Sequence, residues 1–252
     1  DAAPATDFWQ YFPTDSLKST YQTEIKMAYN DKFLLVGIVL SSSGDSYIVP
    51  SLKRDFRAGG NDNISLMFDT FNDGTNAFLF GTNPEGVQRE ALISGGGADN
   101  SGFRDTWDVK WKNEVKVYKD YYVVEMQIPM ASFKFRGKET KWRFNAYRFD
   151  TQSNEWSAWS RIPQNQFVTN LAFMGDMIFE KPLEKSKPPF AIIPYVSGRI
   201  AKDYVANQTD NDFAIGGDAK IPIGNSLNLD LTVNPDFSQV EVDENVVNLT
   251  RF

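Results

Sequence analysis

Asp62-Asn-Ile-Ser-Leu-Met-Phe-Asp-Thr-Phe-Asn-Asp-Gly-Thr-Asn-Ala-Phe-Leu-Phe80 decides the fold. Two runs rich in aromatic and β-branched residues, 63–71 and 76–80, flank Asn72-Asp-Gly-Thr75. An Asp-Gly pair between strand-like runs signals a hairpin, with positive φ expected at Asp73 and Gly74. Asn83-Pro-Glu-Gly86 supplies a second turn into a further run over 87–93. Residues 63–93 are therefore expected to form a three-strand meander.

The same pattern extends outward. Phe33-Leu-Leu-Val-Gly-Ile-Val-Leu40 follows the turn-like Asn30-Asp31. A near-continuous apolar run of this kind predicts a strand over 32–40 buried on both faces. Further strands are expected at 114–118, 121–128 and 141–150. Only Met130-Ala-Ser-Phe133, after Pro129, suggests a helical turn. Four glycines between Ser94 and Gly102 predict a mobile loop that lacks the Lys of a phosphate-binding loop.

Composition narrows the chemistry. The 252 residues contain no Cys and no His, with 26 basic against 33 acidic side chains, net −7. Disulfides, thiolate nucleophiles, His-based triads and most protein zinc sites are excluded. A net negative chain is a poor nucleic-acid binder, because phosphate contacts need clustered cations. Carboxylate chemistry, oxygen-ligated calcium, aromatic-surface binding and a structural role remain. The eight-residue run at 33–40 is far short of the roughly 20 residues of a membrane helix, but β-barrel strands are shorter and only half apolar.

A charged, Pro-rich segment, Glu180-Lys-Pro-Leu-Glu-Lys-Ser-Lys-Pro-Pro189, reads as a linker. All six Trp precede it, between Trp9 and Trp159. The expected organisation is a sandwich over 1–180, a linker over 181–189 and β-hairpin strands over 190–252. Beyond the linker, Leu227, Leu229, Leu231 and Val233 share one face, while Asn228, Asp230 and Thr232 take the other. Phe213, Ile215, Ala219 and Ile221 likewise oppose Ala214, Gly216, Asp218 and Lys220. Transmembrane barrel strands alternate in this way, and so does a one-sided antiparallel sheet.

Residues 62–80 and the following Asn83-Pro-Glu-Gly-Val-Gln-Arg89 resemble the family 9 carbohydrate-binding module, in the variant that opens Bacteroidota outer-membrane proteins. Val233-Asn-Pro-Asp-Phe-Ser-Gln-Val-Glu-Val-Asp-Glu-Asn-Val-Val-Asn-Leu-Thr-Arg-Phe252 resembles the start of the barrel-like region that follows it. The resemblance implies an all-β fold: an antiparallel β-sandwich of jelly-roll or immunoglobulin-like kind, followed by antiparallel strands of a barrel-like region. It also implies a non-catalytic glycan-binding module in the outer membrane or periplasm of a Gram-negative bacterium, and a chain that is part of a longer protein. A structural or docking subunit of an outer-membrane assembly, with a vestigial sugar site, is the alternative.

Sugar rings stack on Trp or Tyr while a few polar groups read the hydroxyls. Trp107 and Trp111, on one face if the segment is extended, can serve as either core or platform. Trp156, in Glu155-Trp-Ser-Ala-Trp-Ser-Arg161, matches the late segment where family 9 modules stack a sugar, with Asn154 and Arg161 as polar neighbours. Asp62, Asp69, Asp73 and Asn76 are oxygen donors close in sequence, and family 9 modules bind calcium. Turn formation at Asp73 and the polar face of a strand at Asp69 are the competing roles. As glycosidase carboxylates, Asp105 with Asp108, or Glu125 with Asp150, can be paired only formally.

Overall fold

The computed structural model describes residues 3–184, 191–203, 208–223 and 227–234. It is all-β and antiparallel, in two compact units, Asp1–Ser186 and Lys187–Phe252.

Unit 1 is a two-sheet sandwich. Its strands in chain order are β1 (Trp9–Phe12), β2 (Thr23–Tyr29), β3 (Phe33–Ser41), β4 (Asn63–Asp69), β5 (Ala77–Thr82) and β6 (Gln88–Ile93). Then come β7 (Phe103–Arg104), β8 (Lys112–Val117), β9 (Tyr121–Pro129), β10 (Glu139–Asp150), β11 (Glu155–Ala158) and β12 (Gly175–Leu183). The larger sheet has the order β1-β11-β10-β4-β5-β6-β7, with β12 on the first half of β10. The smaller runs β2-β3-β9-β8. β10 is the spine, since its 12 residues pair with β4 on one side and with β12 and then β11 on the other.

The 63–93 meander forms as expected, β4 on β5 on β6. Its first turn differs. Positive φ falls at Asn72 (57°) and Gly74 (68°), not at Asp73. The cause is the Asp69 carboxylate, which accepts from the backbone N–H of Phe71, Asp73 and Gly74 and gathers a loop longer than a two-residue turn. In the second turn Gly86 has φ 75° and its N–H returns to the Asn83 carbonyl, 2.9 Å.

Two apolar layers explain where the hydrophobic residues go. Between the sheets, Leu34, Val36, Ile38 and Leu40 of β3 and Val124, Met126 and Ile128 of β9 meet Leu66 and Phe68 of β4 and Trp142 and Phe144 of β10. Outside the large sheet, Met67, Leu79, Ala91, Tyr147 and Phe149 are roofed by Ile162, Leu171 and Met174. Each fully buried side chain of this size contributes about 1.5–3 kcal/mol.

The strand buried on both faces is therefore β4, with all seven residues buried, and not β3. On β3 the residues alternate. Leu34 and Leu40 are 0% exposed, whereas Leu35 and Val39 on the outer face are 38% and 40% exposed. An apolar run alone does not reveal this, because among the described residues of unit 1 no second layer covers the small sheet. Residues 130–132 form one 3-10 turn, and Gly95–Gly97 another within the expected glycine loop. β12 extends through Leu183, paired with Glu139, so the first residues of the expected linker are strand.

Unit 2 is a meander, β13 (Ala191–Asp203), β14 (Gln208–Ile223) and β15 (Leu227–Val233). Register puts Ile192, Ala219 and Leu231 in one cross-strand row, and Val196 opposite Ile215. Ile192, Val196, Phe213, Ile215, Leu231 and Val233 are all exposed. Asp218 and Thr232 form the next row, on the opposite face. The stretch quoted above over 233–252 lies, beyond Asn234, outside the described residues.

Candidate functional site

The six Trp divide between core and edge. Trp142 is fully buried between the sheets. Trp111 is 6% exposed, packs edge-on to Phe80 at 5.5 Å and donates from Nε1 to Glu90, 3.2 Å. Trp107 sits against Phe78 and Phe80, at 5.4 and 5.8 Å. Trp107 and Trp111 thus share a face, and that face is the inter-sheet core. The expectation that they offer a sugar platform is corrected accordingly, because the aromatic inner face of β5 takes up their rings.

Trp156 is different. It stands half-buried on β11, on the outer face of the large sheet. Phe149, its partner on β10, lies 4.2 Å away between ring centroids. Tyr11 stacks on it at 5.9 Å with planes 10° apart, and Phe12 lies at 6.0 Å. The Tyr11 hydroxyl donates to the Gln166 carbonyl, 2.6 Å, and burial raises its pKa. Phe12 is 37% exposed, so the aromatic group reaches solvent at the sheet edge.

A buried carboxylate fixes that edge. Glu155 accepts from Gln10 Nε2 at 2.7 Å, Ser19 Oγ at 2.5 Å and the Thr20 N–H at 3.1 Å. These bonds hold the β1 strand and the chain that follows it beside β11, and with them Tyr11.

Asn154 lies in the tight turn before β11, exposed, with φ 51°. Arg161 is already engaged. Its Nε donates to the Asp15 carbonyl at 2.6 Å, Nη2 lies 3.6 Å from Asp15 Oδ1, and the guanidinium stands 5.8 Å from the Trp9 ring. Its main work is to tie the 13–16 loop to the segment after β11. Gln164 shares this tie, taking Asp15 Oδ2 through its N–H at 2.9 Å.

The four oxygen donors expected to hold calcium are not brought together. Asp62 and Asp69 flank β4 at opposite ends, about 23 Å apart at strand rise. Asp62 accepts from the N–H groups of Ile48 and Thr151, at 2.6 and 2.9 Å, and from the Thr151 hydroxyl. Asp69 holds its turn, and Asp73 accepts from the Thr75 N–H at 2.8 Å. Asn76 is exposed. No group of three or more His, Cys, Asp or Glu among the described residues could hold a metal ion. Of the formal carboxylate pairs, Glu125 and Asp150 separate as well, with Glu125 exposed on β9 of the small sheet and Asp150 buried at the end of β10 in the large one.

A broad open concavity of about 1110 Å³ covers the outer face of the small sheet. Its lining includes Lys26, Leu35, Gly37, Glu114, Glu125 and Gln127 but no aromatic residue, so it offers no stacking surface.

Sequence reasoning misses Tyr11, Phe12 and Glu155 as members of this site. Nearly 150 residues separate β1 from β11, and it is their pairing, Phe12 opposite Trp156, with the Gln10–Glu155 bond, that joins them. The alternating Trp-Gln-Tyr-Phe at 9–12 is the one available signal.

Residues 189–252 match the family model described as "Domain of unknown function (DUF5916)". No curated protein matches the chain. Among solved structures, a Bacteroides uniformis protein described as a candidate carbohydrate-binding protein aligns at TM-score 0.54 and 13% identity, over 69% of this chain and 86% of its own. A family 9 carbohydrate-binding module from Caldicellulosiruptor kristjanssonii aligns at TM-score 0.45 and 14% identity in its glucose complex, over 73% of this chain and 88% of its own. Its cellotriose complex aligns at 0.46 and 13%, over 73% and 86%. At these identities the likeness is one of fold.

Proposed function

We propose that unit 1 is a non-catalytic glycan-binding sandwich whose ligand stacks at the edge of the large sheet formed by β1 and β11. The observation that carries this is the partly exposed group of Trp156, Tyr11 and Phe12. It is aromatic and reaches solvent, and the exposed Asn154 stands two residues from Trp156, a combination suited to a sugar ring. The carbohydrate-binding description of the Bacteroides uniformis protein of like fold agrees with it.

The setting in the same proposal is the outer membrane of a Gram-negative bacterium, with unit 2 as the membrane-associated part. Support comes from the exposed apolar face of β13–β15, set against a mixed face where Asp218 and Thr232 stand in a row with Ile193 and Tyr195 lies opposite Gly216, an alternation close to that of lipid-facing strands. Fractionation of the native membrane tests this part, and recovery of the protein in the soluble periplasm overturns it.

Titration calorimetry of the chain with neutral oligosaccharides at millimolar concentration tests the binding reading. Saturable heat that Trp156→Ala abolishes is the expected result. Absence of heat from every sugar overturns it. A second reading, a docking subunit with a vestigial site, is favoured by the Tyr11 ring already lying parallel to Trp156 and by the tie of Arg161 to Asp15. A stoichiometric protein partner recovered from detergent-solubilised membranes, with no sugar heat, selects that reading.

A further inference from the structure

The outer face of the small sheet carries charges in a definite order. Strand register sets its side chains in rows. One row is Glu24, Val39, Val123 and Lys116, and the next is Lys26, Gly37, Glu125 and Glu114. A third is Ala28, Leu35, Gln127 and Lys112. In the first two rows the outer strands β2 and β8 bear opposite signs, Glu24 against Lys116 and Lys26 against Glu114.

Little of this charge is matched within the chain. Lys26 lies 2.9 Å from Glu24, an exposed pair that contributes little to stability. Glu114, Glu125, Lys112 and Lys116 form no ion pair among the described residues. Over the whole face Lys26, Lys112 and Lys116 cancel Glu24, Glu114 and Glu125. A partner of one sign therefore gains nothing there, since complementarity needs opposed potentials.

A second copy of the same face does match. A two-fold axis along the strands, between β3 and β9, sets Lys26 against Glu114 of the second copy. It likewise sets Glu24 against Lys116 and Val39 against Val123, and symmetry repeats each contact. An axis across the strands would instead oppose Lys26, Glu114 and Glu125 each to its own copy, and like charges so placed repel. The charge order selects the first arrangement.

Size follows the same symmetry. The β2–β3 half of the face has Ala28 and Gly37, and a Cβ at Gly37 would meet nothing within 4 Å. The β9–β8 half has the longer Glu125, Gln127 and Lys112. The axis along the strands lays Glu125 over Gly37 and Lys112 over Ala28 of the second copy, filling the concavity of about 1110 Å³. Glu125 then stands beside Lys26 of the second copy, which supplies its counter-charge. Packed sheets lie roughly 10 Å apart, a gap that opposed long side chains span.

We propose that the outer face of the small sheet is a homodimer interface, two copies packed about a two-fold axis along β3 and β9. It lies on the opposite side of the sandwich from Trp156 and leaves that edge free. Four strands about 4.8 Å apart, over roughly 24 Å of length, give a flat footprint of about 450 Å² per copy, at the lower end for a specific interface. The dimer is accordingly weak, with a dissociation constant on the order of 1–100 µM.

Sedimentation of the whole chain over a range of concentrations tests this, in a neutral detergent that covers the exposed apolar face of β13–β15. A reversible monomer–dimer equilibrium is expected. Lys26→Glu and Glu114→Lys should each weaken it about tenfold or more, and the two together should restore it, because the opposed signs are exchanged. Both side chains are exposed, so neither change threatens the fold. Gly37→Trp, which the open space above Gly37 accommodates within one copy, should abolish the dimer. A chain that stays monomeric at about 500 µM overturns the proposal. So does a dimer that none of these substitutions alters, since its contact lies elsewhere. Amide protection of β3 and β9 that is independent of concentration also overturns it, by showing that another part of the same chain covers the face.

Discussion

Arg148 and Asp150 form an ion pair 3.2 Å long, although both are almost excluded from solvent, at 1% and 5% exposure. They stand two residues apart on β10 and so on one face of the strand. The guanidinium does more than neutralise Asp150. It donates to the Tyr21 carbonyl at 3.1 Å and to the Ser41 carbonyl at 2.6 Å, the latter at the end of β3. One side chain thereby joins the large sheet to the small one.

Arg148→Ala should therefore destabilise unit 1 by about 3–5 kcal/mol, since it leaves Asp150 buried and unpaired and frees two backbone carbonyls. Urea unfolding followed by tryptophan fluorescence measures the loss. A change below 1 kcal/mol would show that solvent replaces the pair at no cost.

Tyr122 lies beside this pair, 1% exposed, with its hydroxyl unpartnered. Burial raises its pKa well above the ordinary tyrosine value. For an acid with a raised folded-state pKa, the unfolded chain loses its proton first. Stability contributed by this group is thus intact below about pH 10 and falls as pH rises above it, by up to about 1.4 kcal/mol per pH unit. Tyr122→Phe should be neutral or stabilising by about 1 kcal/mol at neutral pH, because it removes a buried group with no partner. It should also flatten the alkaline decline, which melting curves taken across that range would reveal.

Gly175 opens β12 directly beneath Trp159. A Cβ there would fall 2.6 Å from the Trp159 ring. Gly175→Ala should displace the indole from Phe144, now 5.4 Å away, and cost about 1–3 kcal/mol. The readout is a shift in tryptophan emission together with a lower urea midpoint.

Glu155 links stability to the candidate sugar site. Its carboxylate holds Gln10, Ser19 and Thr20, and so keeps β1 beside β11. Glu155→Ala should leave those donors short of an acceptor and cost about 1–3 kcal/mol. It should also loosen Tyr11 against Trp156, seen as faster amide exchange over residues 9–20 with the rest of the sandwich unchanged. Uniform exchange across unit 1 would speak against a local latch.

Much of the fold was legible in local chemistry. Alternation and turn residues locate β4, β5, β6, β9 and β10 to within a few residues, because strand period and turn φ act at short range. β1, β11 and β12 are harder to read, since β1 and β11 have four residues each and β12 carries Pro182. The mistaken reading of β3 has the same origin, as exposure of Leu35 and Val39 depends on what covers the sheet, which no run of residues records.

For the site, the sequence by itself determined the repertoire: no thiol, no imidazole, abundant aromatic rings, and Trp156 among polar neighbours. Only the tertiary structure decided which rings are core and which reach the surface. It sent Trp107 and Trp111 inward, drew Tyr11 and Phe12 onto Trp156 from the other end of the unit, and dispersed Asp62 and Asp69 to the two ends of one strand. The physical reason is that stacking, burial and ion pairing depend on distance in space, and in an antiparallel sandwich strand pairing, more than separation along the chain, sets that distance.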